Sequence, residues 1–140
     1  MHPITQVDST LWALINRLAD QTLQTPYTPR NCEFRIDTIA NDRLHITTGE
    51  GDTPIQISRE AIQRTLDYLV QHEHIGQPSA IQIKSSHQPA DAGPLCLAAR
   101  TQPDGTVGVC VITYILPILE RCHAVGISRM QKPTSTWLLS

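Results

Sequence analysis

The stretch of the chain that looks most like a chemical site runs from residue 45 to residue 66 and reads HITTGEGDTPIQISREAIQRTL. A strand-like run meets a glycine-rich turn and is soon followed by a helix-like run, the order found in phosphate-binding loops. However, no lysine followed by serine or threonine opens the helix, and a strand-like segment at 53–58 intervenes. Glu50 and Asp52 would also repel a phosphate. The sequence therefore predicts that this turn only closes a hairpin.

A metal-dependent nuclease is a second chemical interpretation. Gln82 and Lys84 follow the Q-x-K variant of the E-x-K pattern in restriction-type nuclease sites, where a neighbouring aspartate holds Mg²⁺. Asp52 is the nearest candidate, but a whole helix at 59–74 separates it from this segment, which is the wrong order for such a core. Lys84 is therefore predicted to face solvent on an edge strand, and the nuclease stays a second alternative.

The cysteines and histidines do not have the spacing of a metal site. The four cysteines are far apart in the sequence, with no C-x-x-C pair, and they are Cys32, Cys96, Cys110 and Cys122. The adjacent pair Cys122 and His123 and the i,i+2 pair His72 and His74 would seldom converge from one helix face. We predict no metal, no cofactor and no catalytic residue, with reduced thiols in the core. Whether any cysteine is reactive, or pairs with a distant histidine, stays open.

Positive charge is concentrated near the C-terminus, although the net charge is −2. The first 99 residues carry seven basic and eleven acidic side chains, whereas the last 41 carry four and two. Nine of the eleven basic residues are arginine, whose planar guanidinium suits bidentate contacts with phosphates. The candidate phosphate contacts in this part of the chain are Arg121, Arg129 and Lys132, with Arg100 as a weaker candidate.

Hydrophobic periodicity predicts the elements of the first half. A helix is expected over 8–23, with Leu11, Leu14, Ile15 and Leu18 on one face and Trp12 off it. Alternating patterns predict three strands in a meander at 32–40, 43–48 and 53–58. Ser58 is then expected to cap a helix that ends near His74.

The second half permits two interpretations. Residues 80–84 suggest a short strand, and 123–140 suggest a terminal hairpin. Between them, residues 94–100 and 106–116 could form either a hairpin around the turn PDG or two helices. With helices, which we favour slightly, the order becomes that of a winged helix, whose second helix can enter the major groove. The presumed recognition helix at 110–119 is, however, almost entirely apolar.

Length and composition predict a single α+β domain over residues 1–140. The hydrophobic share is 40% and the charged share 17%, which is typical of a globular chain. No signal-peptide pattern opens the sequence and no apolar run is long enough to span a bilayer, so a soluble cytoplasmic protein without a membrane partner is expected.

Several segments together carry a resemblance to a known group of proteins. They are the first helix, the meander written F-x-I-x-x-I and L-x-I, the segment SREAI at 58–62 and the segment YILPIL at 114–119. This succession resembles small uncharacterised bacterial modules found beside or fused to restriction-type nucleases. The resemblance covers most of the chain, brings no catalytic motif, and implies a DNA-related, non-catalytic role.

The leading hypothesis is therefore a non-catalytic accessory or specificity domain that contacts duplex DNA. The first alternative belongs to another class: a protein-interaction or dimerisation module. Its contact surface would consist of Trp12, Leu116 in the apolar segment YILPIL, and Trp137.

Overall fold

The computed structural model describes residues 3–26, 32–49, 54–129 and 133–139. Within these ranges the chain forms four α-helices and two antiparallel sheets, which contain seven strands. The predicted α+β class is confirmed. A single cluster of buried hydrophobic residues extends from the first helix to the last strand, so both halves of the chain share one core.

The first helix is shorter than its periodicity predicted. Helix α1 (Ser9–Asn16) begins where the Asp8 carboxylate accepts a hydrogen bond from the Leu11 N–H at 2.9 Å. Asp20 then adopts a left-handed backbone conformation, with φ at 67°, and turns the chain back. The residues that follow form strand β1 (Thr22–Gln24) instead of a further helical turn. Pairing with the meander outweighs the helical pattern at this point.

The predicted meander is present and gains β1 as a fourth strand. Strand β2 (Glu33–Ile39), β3 (Arg43–Thr48) and β4 (Pro54–Ser58) follow in sequence, and the sheet order is β1-β2-β3-β4. Its core face carries fully buried side chains from alternating positions, which are Phe34, Ile36, Leu44, Ile46 and Ile57.

The alternating sequence pattern predicts that Leu44 and Ile46 align with Ile55 and Ile57, and the structure confirms this register. Leu44 lies opposite Ile57, and Ile46 lies opposite Ile55. Residues 50–53, which include most of the glycine-rich turn, lie outside the described residues. The strands on either side are antiparallel neighbours, as the hairpin prediction requires.

Helix α2 (Arg59–Gln71) follows β4 without a loop. The Ser58 hydroxyl accepts a hydrogen bond from the Ala61 N–H at 3.0 Å, so the predicted N-cap is confirmed. Of the four residues that helical spacing predicts on the core-facing side, Ile62, Leu66 and Leu69 are buried, whereas Val70 is 38% exposed.

The second half has the element order that the winged-helix interpretation required. Helix α2 is followed by strand β5 (Ile81–Gln82), helix α3 (Pro94–Arg100), helix α4 (Ile112–Arg121), strand β6 (Val125–Ser128) and strand β7 (Ser135–Leu138). The strands form a second sheet in the order β5-β7-β6, and β6 and β7 are the predicted terminal hairpin.

The favoured helical interpretation is confirmed for residues 94–100 and for the segment from Ile112 onward, and the alternative hairpin of two strands is wrong. Thr101 and Val107 form an isolated antiparallel bridge across the turn PDG. The chain then runs without helical structure until α4 starts at Ile112.

Helix α4 is buried between the second half and the first sheet. It contacts β1, and the Tyr114 ring packs edge-on against the Phe34 ring with the centroids 5.2 Å apart. Leu116 is 0% exposed, so the prediction that it belongs to a contact surface is wrong. The apolar side chains that made this helix unsuitable for reading bases are core residues.

None of the helices within the described ranges combines the length and the apolar composition that a bilayer crossing needs.

The pairing of Gly126 with Trp137 in the second sheet gives a first prediction. A Cβ atom at position 126 would lie 2.5 Å from the Trp137 ring, closer than carbon atoms can approach. We expect Gly126→Ala to lower the free energy of unfolding by about 1–3 kcal/mol through overpacking, measured by urea denaturation followed by circular dichroism. In a Trp137→Leu background the same substitution should cost clearly less. An equal cost in both backgrounds would contradict a steric origin.

Candidate functional site

An open groove with a volume of about 890 Å³ lies between the edge of the first sheet and the segment that follows α3. Three parts of the chain line it. The first is the edge of the first sheet, at Arg43, Gln56 and Ser58; the second is the first two turns of α2; the third is the segment from Ala99 to Val111. The volume lies within the range typical of ligand sites, ~300–1,000 Å³.

Arg59 fixes one end of this groove. Its guanidinium donates hydrogen bonds to the Val7 C=O at 2.8 and 3.2 Å and to the Asn41 C=O at 3.2 Å. It also lies over the Trp12 ring, 5.0 Å from the centroid. These contacts attach the N-terminal segment and the β2–β3 turn to the start of α2.

Trp12 is therefore a structural residue at this end of the groove. Its side chain is 6% exposed, and the indole N–H donates to the Ala40 C=O at 3.1 Å. The prediction that Trp12 contributes to an exposed contact surface is wrong. The ring is amphipathic, and here its polar atom finds a partner inside the fold.

Arg100 holds the opposite wall. The side chain is 5% exposed, and it donates to the C=O groups of Gly108 at 2.8 Å, Ser86 at 2.6 Å and His87 at 3.2 Å. Each carbonyl belongs to an irregular segment that has no regular sheet partner. The buried guanidinium thus supplies hydrogen-bond donors to the carbonyls of these irregular segments. Arg100 is not available as a surface phosphate contact, which corrects that prediction.

Arg64 projects from α2 into the same groove. Its terminal NH₂ group donates to the Ala99 C=O at 3.1 Å. Its Nε–H is buried, and no acceptor among the described residues satisfies it. A buried donor without an acceptor carries a free-energy cost that an acceptor brought by a ligand would remove.

The groove carries more positive than negative charge. Four arginines line it against two carboxylates, which belong to Asp42 and Glu60. Asp42 forms an exposed ion pair with Arg43 at 2.8 Å, and the hydrogen bond from Arg43 holds the pKa of the Asp42 carboxyl below its usual value. In the described parts of the chain, the other three arginines pair with no carboxylate; these are Arg59, Arg64 and Arg100.

The free edge of β4 opens onto this charged surface. In the described chain β4 pairs only with β3. The Arg59 N–H donates to the Asp42 C=O at 2.8 Å, which makes Arg43 and Ser58 a non-hydrogen-bonded pair of the ladder. The alternation of an antiparallel ladder then directs the N–H and C=O of Gln56 away from β3, toward the free edge. Such an edge is a template for another extended strand.

Apolar side chains complete the wall opposite this edge. Val109 is 65% exposed and follows Gly108, whose N–H donates to the Arg100 C=O at 2.8 Å. Val111 and Val7 are buried and also line the groove. An exposed valine beside fixed positive charge is suited to a partner with both apolar and acidic side chains.

The other predicted phosphate contacts do not gather with Arg100. Arg121 is exposed and donates to the Gln21 side chain at 2.9 Å. Arg129 forms an ion pair with Glu120 at 2.8 Å and donates to the Thr25 C=O, also at 2.8 Å. Arg129 thus attaches the second half to β1 and does not project freely. Lys132 lies outside the described residues.

The remaining predicted residues are also dispersed. Trp137 is half-buried and its ring covers Gly126. It does not form an exposed surface with Trp12 and Leu116, because both of those side chains are buried. Lys84 lies after the end of β5, not on the strand, and its side chain packs near Gly93. Asp52, the proposed nuclease carboxylate, falls outside the described residues. Within the described ranges no group of three or more His, Cys, Asp or Glu residues could hold a metal ion.

Sequence reasoning missed Arg59, Arg64 and the free edge of β4. The segment SREAIQR contained both arginines, but only its helix cap was interpreted. Their convergence with Arg100 depends on contact between α2 and α3, across 36 residues of sequence.

Comparison with known proteins returned no matching family model, no matching curated protein and no matching solved structure.

Two arginines predicted as phosphate contacts provide a matched test of these roles. Arg100→Met leaves three backbone carbonyls without their donor, so we expect a loss of about 2–4 kcal/mol in the free energy of unfolding. Arg121→Met removes an exposed side chain and should change it by less than about 0.5 kcal/mol. Urea denaturation measures both. Equal effects of the two substitutions would show that Arg100 does not support the fold.

Proposed function

We propose that this protein is an interaction module that binds an extended, acidic segment of a partner protein along the free edge of β4. Like the first alternative, this function is protein interaction, but its contact surface is the groove and not Trp12, Leu116 and Trp137. The observation that carries it is the position of three guanidinium groups that have no carboxylate partner among the described residues, beside a strand edge that no described strand pairs with.

Backbone pairing supplies the first part of the recognition. An extended segment placed against β4 can accept from the Gln56 N–H and donate to the Gln56 C=O, as in other modes of strand addition. Alternate side chains of the added strand point to opposite faces. One set can therefore meet the apolar wall at Val109 while the other meets the charged side of the groove.

Charge supplies the second part. The donors of Arg59 and Arg100 are already bound to backbone carbonyls, so these two residues contribute positive potential more than direct contacts. The Arg64 Nε–H still lacks an acceptor within the described chain, and a carboxylate of the partner would provide one. Fixed charges of this kind favour acidic partners and repel basic ones.

Duplex DNA, the partner in the leading sequence hypothesis, has less support. Most of α4 is buried, with Arg121 exposed at its C-terminal end, and Arg100 and Arg129 are engaged in internal contacts. The element order of the second half is what still favours DNA. Association with restriction-type nucleases and a cytoplasmic location remain hypotheses, and duplex DNA enters the test below as a competitor.

The test uses fluorescein-labelled nine-residue peptides and anisotropy. A peptide of alternating valine and glutamate should bind the full chain, whereas the valine and lysine counterpart should not. N-methylation of alternate peptide bonds should abolish binding, because it removes the backbone donors. Arg64→Gln should weaken binding by roughly tenfold through loss of a charge-assisted hydrogen bond, and Arg17→Gln, an exposed arginine outside the groove, should leave it unchanged.

Gln56→Pro tests the strand edge itself. Proline removes an N–H that faces away from β3, so the ladder keeps its hydrogen bonds while the free edge loses its donor. We expect an unchanged circular dichroism spectrum and at least about a tenfold loss of peptide affinity. Equal binding of the acidic and basic peptides, or full binding by Gln56→Pro, would sink the proposal. Tighter binding of a 20-base-pair duplex that displaces the peptide and falls steeply with salt would assign the groove to nucleic acid instead.

A further inference from the structure

Two cysteines that are far apart in sequence are in contact in the fold. The Cys96 Sγ on α3 and the Cys110 Sγ in the segment before α4 are 3.6 Å apart. This distance is that of a thiol hydrogen bond, and the two sulfurs need only a small approach to form a covalent bond. The other two cysteines lie outside this pair: Cys32 is exposed and Cys122 is buried.

The two thiols of the pair differ in pKa, which is lowered for Cys96 and raised for Cys110. The Cys110 S–H beside Cys96 is the main reason why the pKa of the Cys96 thiol falls to about 6, and the Ser86 backbone and the Arg100 guanidinium add to this effect. The Arg100 Nη1 lies 3.9 Å from the Cys96 Sγ. The remaining proton is correspondingly harder to remove, so the pKa of Cys110 is raised. At neutral pH the two sulfurs therefore share one proton and one negative charge, in contrast to Cys122, where burial raises the pKa to about 11.

Access to the two sulfurs differs. Cys96 is 0% exposed, whereas Cys110 is half-buried in a segment whose neighbour Val109 is exposed. Of the two residues, Cys110 is therefore the one that solvent reaches. Cys96 stands behind it, held as the thiolate partner by Arg100.

We propose that Cys96 and Cys110 form an oxidative modification site that closes reversibly to an intramolecular disulfide, with a small disulfide such as oxidised glutathione as the oxidant. The proton shared by the pair moves to Cys96, and the Cys110 thiolate attacks one glutathione sulfur. The glutathione S–S bond breaks, and one glutathione thiolate leaves. Cys96 then gives its proton to the first glutathione thiolate and attacks the Cys110 sulfur of this mixed disulfide. The bond from Cys110 to glutathione breaks, and the second glutathione leaves as a thiolate that takes a proton from water. Two protein thiols are oxidised by two electrons, and one glutathione disulfide is reduced to two glutathione molecules.

The disulfide would attach the groove wall covalently to α3. Gly108 and Val109 precede Cys110 directly and line the groove, so their freedom to adjust to a bound segment would fall. A change in peptide affinity on oxidation rests on the proposed function, whereas the formation of the disulfide does not. The two are therefore measured separately.

Mass spectrometry of the native full chain tests the disulfide. The protein is incubated with oxidised glutathione, its remaining thiols are alkylated, and it is digested with trypsin. Cleavage after Lys84, Arg100 and Arg121 places the two cysteines in different peptides, 85–100 and 101–121. We expect these peptides to be linked and to separate after reduction, with Cys32 and Cys122 outside the linkage. Cys122→Ser, which removes a buried thiol outside the pair, should give the same linked peptides.

The single variants separate the two steps. Cys96→Ala should stop at a stable glutathione adduct on Cys110, because the resolving thiolate is absent. Cys110→Ser should give neither the linked peptides nor an adduct on Cys96, which is buried. If the wild-type chain keeps both thiols, holds glutathione on Cys110 without closing, or links either cysteine to Cys32, the proposal is overturned. These outcomes do not depend on whether the groove binds a peptide.

Discussion

The burial of helix α4 is the constraint on which the rest of this structure depends. Its residues from Ile115 to Leu119 are all buried, and each large apolar side chain contributes about 1.5–3 kcal/mol when it is removed from water. The first sheet provides part of the cover, through Phe34 against Tyr114 and through β1. The same contact that joins the two halves removes from solvent the helix that a winged helix would use for DNA. The proposed function therefore uses another surface, the arginine-lined groove.

Buried and half-buried arginines donate hydrogen bonds to the backbone beside this core. Arg59, Arg100 and Arg129 each donate to backbone carbonyls of segments that are distant in sequence. Arginine suits this role because one planar group offers five donors and stays charged. Arg59 and Arg100 donate to carbonyl groups of irregular backbone and form no ion pair with a carboxylate of the described residues. Their positive charge is therefore fixed in the wall of the groove. A structural requirement thus creates the electrostatic property on which the proposed function rests.

Local sequence patterns predicted the helices and strands more accurately than they predicted which side chains are exposed. The meander register, the Ser58 cap and the apolar face of α2 follow from periodicity and capping, which act within a few residues. Strand β1 was missed because its pairing with β2 outweighs a helical pattern that continues through Leu23. The predicted contact surface failed for a similar reason. Trp12 and Leu116 are apolar, but type alone does not tell whether a residue faces a partner protein or the chain's own core.

The sequence by itself determined the α+β class, the order of the meander and the helix after it, and the absence of a lysine-containing phosphate loop. These properties depend on residue types and on short spacings, which the linear chain displays directly. Only the tertiary structure decided which arginines are buried, that the edge of β4 faces positive charge, and that Cys96 meets Cys110. Each of these facts is a contact between segments that are separated in the chain. Such contacts follow from how the helices and sheets pack to bury one shared core, and no local pattern encodes that packing.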